Sequence, residues 1–129
     1  MIKRILIVDD SGVGRKLTRR CLEFAGLVGS EITEAENGQR ALEILEAGGV
    51  DLLITDFNMP VMDGLELLRA MQGNPTLEHV AKIVMTSASC DAVKGEFDKL
   101  GVLALIAKPV SPAAFAKVLG SIQGRRPAP

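Results

Sequence analysis

The chain has 129 residues, 47% hydrophobic and 24% charged, which suits one compact domain with a real core and leaves little for a second. A net charge of -1, no Trp or Tyr and only four Phe argue against a nucleic-acid partner, an anionic-membrane surface or a base-stacking platform. The N-terminal apolar run is too short for a secretory or spanning segment, and Cys21 and Cys90 lack metal or redox spacing, so a cytoplasmic setting with reduced thiols is expected.

KRILIVD (3–9) is rich in β-branched residues, ends in acids and reads as a strand. Residues 13–25 place Val13, Leu17, Cys21, Leu22 and Phe24 near helical spacing, with Lys and Arg between them. Ser11 or Gly12 starts that helix, and Gly26 and Gly29 end it before a short strand near Glu31–Glu34. Asn37-Gly38 marks a turn, and a second helix follows, with Ala41, Leu42 and Leu45 on one face and Gly48-Gly49 as its stop. DLLITD (51–56) is apolar almost throughout, as a central parallel strand covered on both faces must be. The loop FNMPVMDG leads to a short helix at 65–72, and Gly73-Asn74-Pro75 breaks the chain. KIVMT (82–86) is the fourth strand, 91–100 a helix, and VLALIA (102–107) the fifth strand. Pro112 sits in the first turn of a last helix, about 112–122. The tail, 123–129, offers no apolar face and is expected to be disordered.

Five strands alternating with helices predict an α/β fold with a parallel sheet. Such sheets bind ligands beyond the carboxyl ends of their strands. The polar residues collect there: Asp9-Asp10 after the first strand, Asp56 at the third, Thr86-Ser87 at the fourth and Lys108-Pro109 at the fifth. An isolated Asp after a strand is ordinarily a turn former or helix cap. Here four strand ends deliver carboxylates, a hydroxyl and an ammonium to one edge. Crowded carboxylates repel unless a cation sits among them, and a hard divalent ion with oxygen ligands points to magnesium. Lys108 would neutralise a further anion, and a carboxylate in such a phosphoryl-binding site can act as nucleophile.

ILIVDDS at 5–11, LLITDFNMPVMDG at 52–64, VMTSA at 84–88 and AKP at 107–109 make the chain resemble a response-regulator receiver of the CheY type. The resemblance covers about residues 3 to 122, with the receiver domain taken as 1–122. It implies a doubly wound five-stranded parallel sheet, flavodoxin-like in its order 2-1-3-4-5, with five helices. It makes Asp56 the acceptor of a phosphoryl group from a sensor histidine kinase or phosphotransfer protein. Asp10 and Asp56 would ligate Mg2+ directly, Asp9 mainly through water, and Asn58 through its backbone carbonyl. Lys108 would pair with the phosphoryl group, and Pro109 would follow a cis peptide bond. Met59-Pro60 and Asp63-Gly64 would shape the acceptor loop, with Gly64 supplying a backbone geometry that other residues resist.

Two positions depart from the common pattern. The switch hydroxyl is Ser87 by its neighbour Ala88, or Thr86 by counting back from Lys108; strand alternation points only one of them at the phosphate. Leu105 stands where many receivers carry an aromatic residue, so coupling to the output face is expected to be weaker or differently built.

SGVGRKLT (11–18) lacks the Gly-Lys-Ser/Thr ending of a nucleotide-binding loop. Arg15, Lys16, Arg19 and Arg20 read as a solvated face, or as part of a kinase-docking surface. His79 reads as a surface residue, and Met59, Met62, Met71 and Met85 as packing. The function implied is a signalling switch with self-catalysed phosphotransfer and autodephosphorylation, acting on an unidentified output protein at its helix 4–strand 5–helix 5 face. No nucleic acid or membrane is expected. The alternatives are a magnesium-dependent phosphatase with an aspartyl nucleophile, and a receiver-like module that binds without phosphate.

Overall fold

A computed structural model describes residues 2–27, 29–86 and 91–124, with backbone alone for 91–94, 123 and 124. The expectations for Ser87, Cys90 and the tail from residue 125 fall outside it. The elements in order are β1 (Arg4–Val8), α1 (Gly12–Phe24), β2 (Glu31–Ala35), α2 (Gly38–Glu46), β3 (Leu52–Asp56) and α3 (Gly64–Gln72). A 3-10 turn (Pro75–Leu77), β4 (Ala81–Thr86), α4 (Asp91–Lys99), β5 (Ala104–Ala107) and α5 (Pro112–Gly124) complete the chain. The strands lie in the order β2-β1-β3-β4-β5, all parallel, as expected for a doubly wound sheet.

Both faces of the sheet are covered, so alternate residues of one strand enter different cores. Ile5, Ile7, Leu52, Ile54, Ile83, Met85 and Ile106 pack with Leu22 of α1 and Phe115 and Leu119 of α5. Leu6, Val8, Leu53 and Val84 pack on the other side with Leu45, Leu68 and Phe97 of α2, α3 and α4. This explains the unbroken apolar run of β3, where every residue is buried.

The helix starts follow from local chemistry. Ser11, Asn37 and Asp63 cap α1, α2 and α3 by accepting from the N–H groups of Gly14, Arg40 and Glu66. Asp63 and Glu66 form a reciprocal capping box. The break at Gly73-Asn74-Pro75 holds a short helical turn, because the Asn74 carboxamide accepts from the Thr76 N–H at 3.0 Å. That capped turn was missed in the sequence.

In α1 the apolar spacing misleads. Thr18, Cys21 and Leu22 face the core, whereas Val13, Leu17 and Phe24 are exposed, at 79%, 48% and 77%. They lie roughly a quarter turn round the helix from the buried face. Met71 and Met85 are buried, Met59 and Met62 pack against the α2/α3/α4 core, and His79 is exposed. Among the described residues no helix is long and apolar enough to cross a membrane.

Candidate functional site

Strand alternation carries three polar residues to one place. Asp9 continues the Ile5–Ile7 row, Asp56 the Leu52–Ile54 row and Lys108 the row of Ile106, all on the α1/α5 side. Asp9 is 2% exposed and Asp56 6% exposed, while Asp10 is exposed. One oxygen from each of Asp9, Asp10 and Asp56 lies within 4.8 Å of the others.

Lys108 is the protein's own counter-charge. Its Nζ donates to Asp56 Oδ2 at 2.7 Å and lies 3.7 Å from Asp9 Oδ2. Burial works against its charge, but the hydrogen bond and charge of Asp56, with the charges of Asp9 and Asp10, outweigh it and raise its pKa. The backbone of Lys108 donates to the Thr86 carbonyl at 2.8 Å, and the Lys108–Pro109 peptide is cis.

Three carboxylates face one ammonium, so Lys108 alone does not balance the set. Burial pushes the Asp9 carboxyl above the ordinary value, despite the Ser11 N–H at 2.9 Å and the charge of Lys108; Asp56 and Asp10 add to the rise. Oxygen donors of this hardness, with uncompensated negative charge, fit a small divalent cation such as magnesium. Asn58 is exposed in the loop after Asp56.

Two supporting residues escaped the sequence reading. Gly14 makes room for Asp9: a Cβ there would stand 2.3 Å from Asp9 Oδ2 and 2.9 Å from its Cγ. Arg15 is no free surface charge. It donates to the Asp9 carbonyl at 2.7 Å and to Glu34 at 2.9 Å, while Arg19 donates to the other Glu34 oxygen at 2.8 Å. Half of the basic cluster thus ties α1 to β2 and to the end of β1. Spacing alone could not reveal a partner on another strand.

Arg19 first, then Arg15, hold the Glu34 carboxyl below its ordinary 4.5. A carboxylate with a depressed folded pKa stabilises above its unfolded value, and the effect vanishes as pH falls through the folded one. Wild type should therefore exceed Glu34→Gln in urea midpoint near neutral pH, and the two should converge in acid. Because Glu34 is a third exposed, the gap should stay within about 1 kcal/mol.

The acceptor loop has its own constraints. Gly64 was expected to supply an unusual backbone angle, but the reason is space. Its N–H donates to Phe57 O at 2.9 Å, and an added Cβ would lie 2.6 Å from the Asp56 carbonyl oxygen. The strained angle belongs to Val61, at φ 70 and 71% exposed. A β-branched residue is poorly suited to the left-handed region, so Val61→Asn should stabilise the fold by about 1 kcal/mol in denaturant unfolding.

A family model described as the response regulator receiver domain matches residues 5–119. The chemotaxis protein CheY of Pseudomonas aeruginosa is 35% identical over 106 residues, spanning 82% of this chain and 84% of that protein. The chemotaxis protein CheY-3 of Vibrio cholerae is 32% identical over 119 residues, spanning 92% and 90%. A structure of Vibrio cholerae CheY4 superposes with a TM-score of 0.81 at 28% identity, covering 95% of this chain and 99% of that one. With one family model running from β1 into α5, and relatives matched over most of their own length, the chain belongs to the response-regulator receiver family.

Proposed function

We propose that this chain is a phosphorylation-operated switch. A sensor histidine kinase or phosphotransfer protein passes a phosphoryl group to Asp56, and the modified receiver changes its affinity for an output protein. The observation that carries this reading is the Lys108 ammonium, hydrogen-bonded to Asp56 at the edge of a three-carboxylate cluster.

Asp56 acts as the nucleophile. Its carboxylate oxygen bonds to phosphorus as the donor's P–N bond breaks, and the freed imidazole nitrogen takes up a proton. The product is an acyl phosphate, with Lys108 Nζ neutralising a phosphoryl oxygen. In autodephosphorylation water attacks phosphorus and the Asp56 carboxylate leaves. Asp10 and Asp56, with Asp9 through water and the Asn58 backbone carbonyl, would hold magnesium. When bound, that ion supplies charge neutralisation to the carboxylates and the phosphoryl oxygens.

Ser87 is the hydroxyl we assign to the switch. Within β4, Ile83 and Met85 lie on the side that bears Asp9, Asp56 and Lys108, and Ser87 itself lies outside the described residues. Thr86 follows Val84 in the opposite row. The relay then differs from one built on an aromatic at position 105. Phe57, next to the acceptor, meets Phe97 of α4 edge-on, with ring centroids 5.5 Å apart and planes at 83°. Leu105 packs against the same core. This contact supports an output surface on α4, β5 and α5. The exposed Leu17 of α1 lines a small pocket with Asp9 and Lys108, and supports docking of the phosphodonor there.

Beryllium fluoride with magnesium tests the switch on 15N-labelled protein. The amide resonances of Phe57, Phe97 and Leu105 should shift, and those of Asp56→Asn should not. Shifts confined to the Asp9 and Asp56 loops would leave a phosphoacceptor without a relay to α4.

A further inference from the structure

A second concave site lies at the opposite edge of the sheet from Asp56. A cavity of about 460 Å³ opens at the starts of β4 and β5, among the last turns of α3, α4 and α5. Met71, Leu77, Val80, Leu100, Leu103 and Ile122 supply its apolar wall. Its volume falls within the range of small-molecule pockets, about 300–1,000 Å³.

Lys82 lines this cavity and is only 8% exposed. Strand alternation turns it into the row of Val84, where an apolar residue would be the ordinary choice. Its ammonium donates to the Val80 carbonyl at 3.0 Å. Among the described residues no carboxylate lies within ion-pair distance of it. An ammonium has further donors than one carbonyl can satisfy, and an unpaired buried charge is costly. Burial accordingly pushes its pKa down, with only the charge of Glu78 acting the other way. Lys99 and Glu78, both exposed, also line the opening, so with Lys82 it carries one net positive charge.

We propose that this cavity is a ligand site for a small organic monoanion with an apolar body, such as a medium-chain carboxylate. The carboxylate meets Lys82, and the hydrocarbon lies against Leu77, Leu100 and Leu103. A cation is disfavoured by the lysines, and inorganic phosphate by the apolar wall. The site shares no residue with the Asp56 cluster, so its occupancy can be read independently of phosphorylation.

Octanoate titrated into the 15N-labelled full chain is the test, with octanamide and inorganic phosphate as matched probes. Octanoate should give saturable shifts confined to residues 71–82, 99–103 and the neighbourhood of Ile122, in wild type and Asp56→Asn alike. Octanamide should bind at least about tenfold more weakly, since it lacks the charge-assisted hydrogen bond. Lys82→Met, which keeps the apolar stem, should lose the octanoate preference while retaining a cooperative thermal transition. If that variant fails to fold, the octanoate–octanamide pair in wild type still decides. Equal binding of the two, phosphate shifts as tight as those of octanoate, or no saturable shift would overturn the proposal.

Discussion

Lys108→Ala should slow phosphorylation of Asp56 from acetyl phosphate by about a hundred- to a thousand-fold, the cost of losing one preorganised charge at the reacting oxygens. The same variant should bind magnesium more tightly. In wild type the ammonium occupies Asp56 Oδ2 at 2.7 Å and stands 3.7 Å from Asp9, so an entering cation competes with it for both carboxylates. Removing a unit charge about 4 Å from a divalent ion is worth about 2 kcal/mol even at the dielectric of bulk water, so cation affinity should rise by at least about tenfold. Magnesium titration followed by calorimetry, beside a phosphorylation time course, reads both effects. A lysine that merely props the loop would lower both together, so the opposite signs are the signature.

Gly14→Ala should weaken magnesium binding by about 10- to 100-fold, the usual effect of disturbing a residue that orients a ligand. The new methyl would overlap Asp9 Oδ2 and Cγ, at 2.3 and 2.9 Å. The Asp9 carboxylate has little room to yield. It is 2% exposed and accepts from the Ser11 N–H at 2.9 Å, which belongs to the cap of α1. Either the carboxylate rotates out of the cluster or the start of the helix moves away. Overpacking of this kind also costs about 1–3 kcal/mol of stability. Gly12→Ala is the control, because its added Cβ would make only ordinary contact, 3.5 Å from Arg15. Equal magnesium affinity in wild type and Gly14→Ala would show that the helix start yields with Asp9 in place, or that Asp9 takes no part in the ion site.

Much of this arrangement is legible in the residues themselves. An apolar strand ending in an acid announces both its burial and its functional tip, and β1 and β3 do so plainly. Helix starts were legible at Ser11 and Asn37, though not at Asn74, whose capped turn is a single short one. Legibility fails where the partner is distant in sequence. Val13, Leu17 and Phe24 keep helical spacing, yet only the packed fold decides that Thr18, Cys21 and Leu22 are the buried arc. Arg15 looks like any surface cation until β2 brings Glu34 beside it. Gly14, set aside with a failed nucleotide-loop motif, has its reason in a carboxylate five residues earlier. The buried Lys82 gave no signal, since a lysine near the start of a strand is ordinarily exposed.

The parity of β4 is an intermediate case. The sequence left Thr86 and Ser87 as alternatives. Within the described strand Ile83 and Met85 face one side and Val84 the other, and Ser87 lies outside the described residues.

Asp56 as phosphoacceptor is tested most directly by intact-protein mass spectrometry after incubation with magnesium and acetyl phosphate. One phosphoryl adduct should form, depend on magnesium, map to the peptide containing Asp56 and be absent from Asp56→Asn. An adduct that persists in Asp56→Asn, or a wild-type protein that acquires none with magnesium present, would contradict the account.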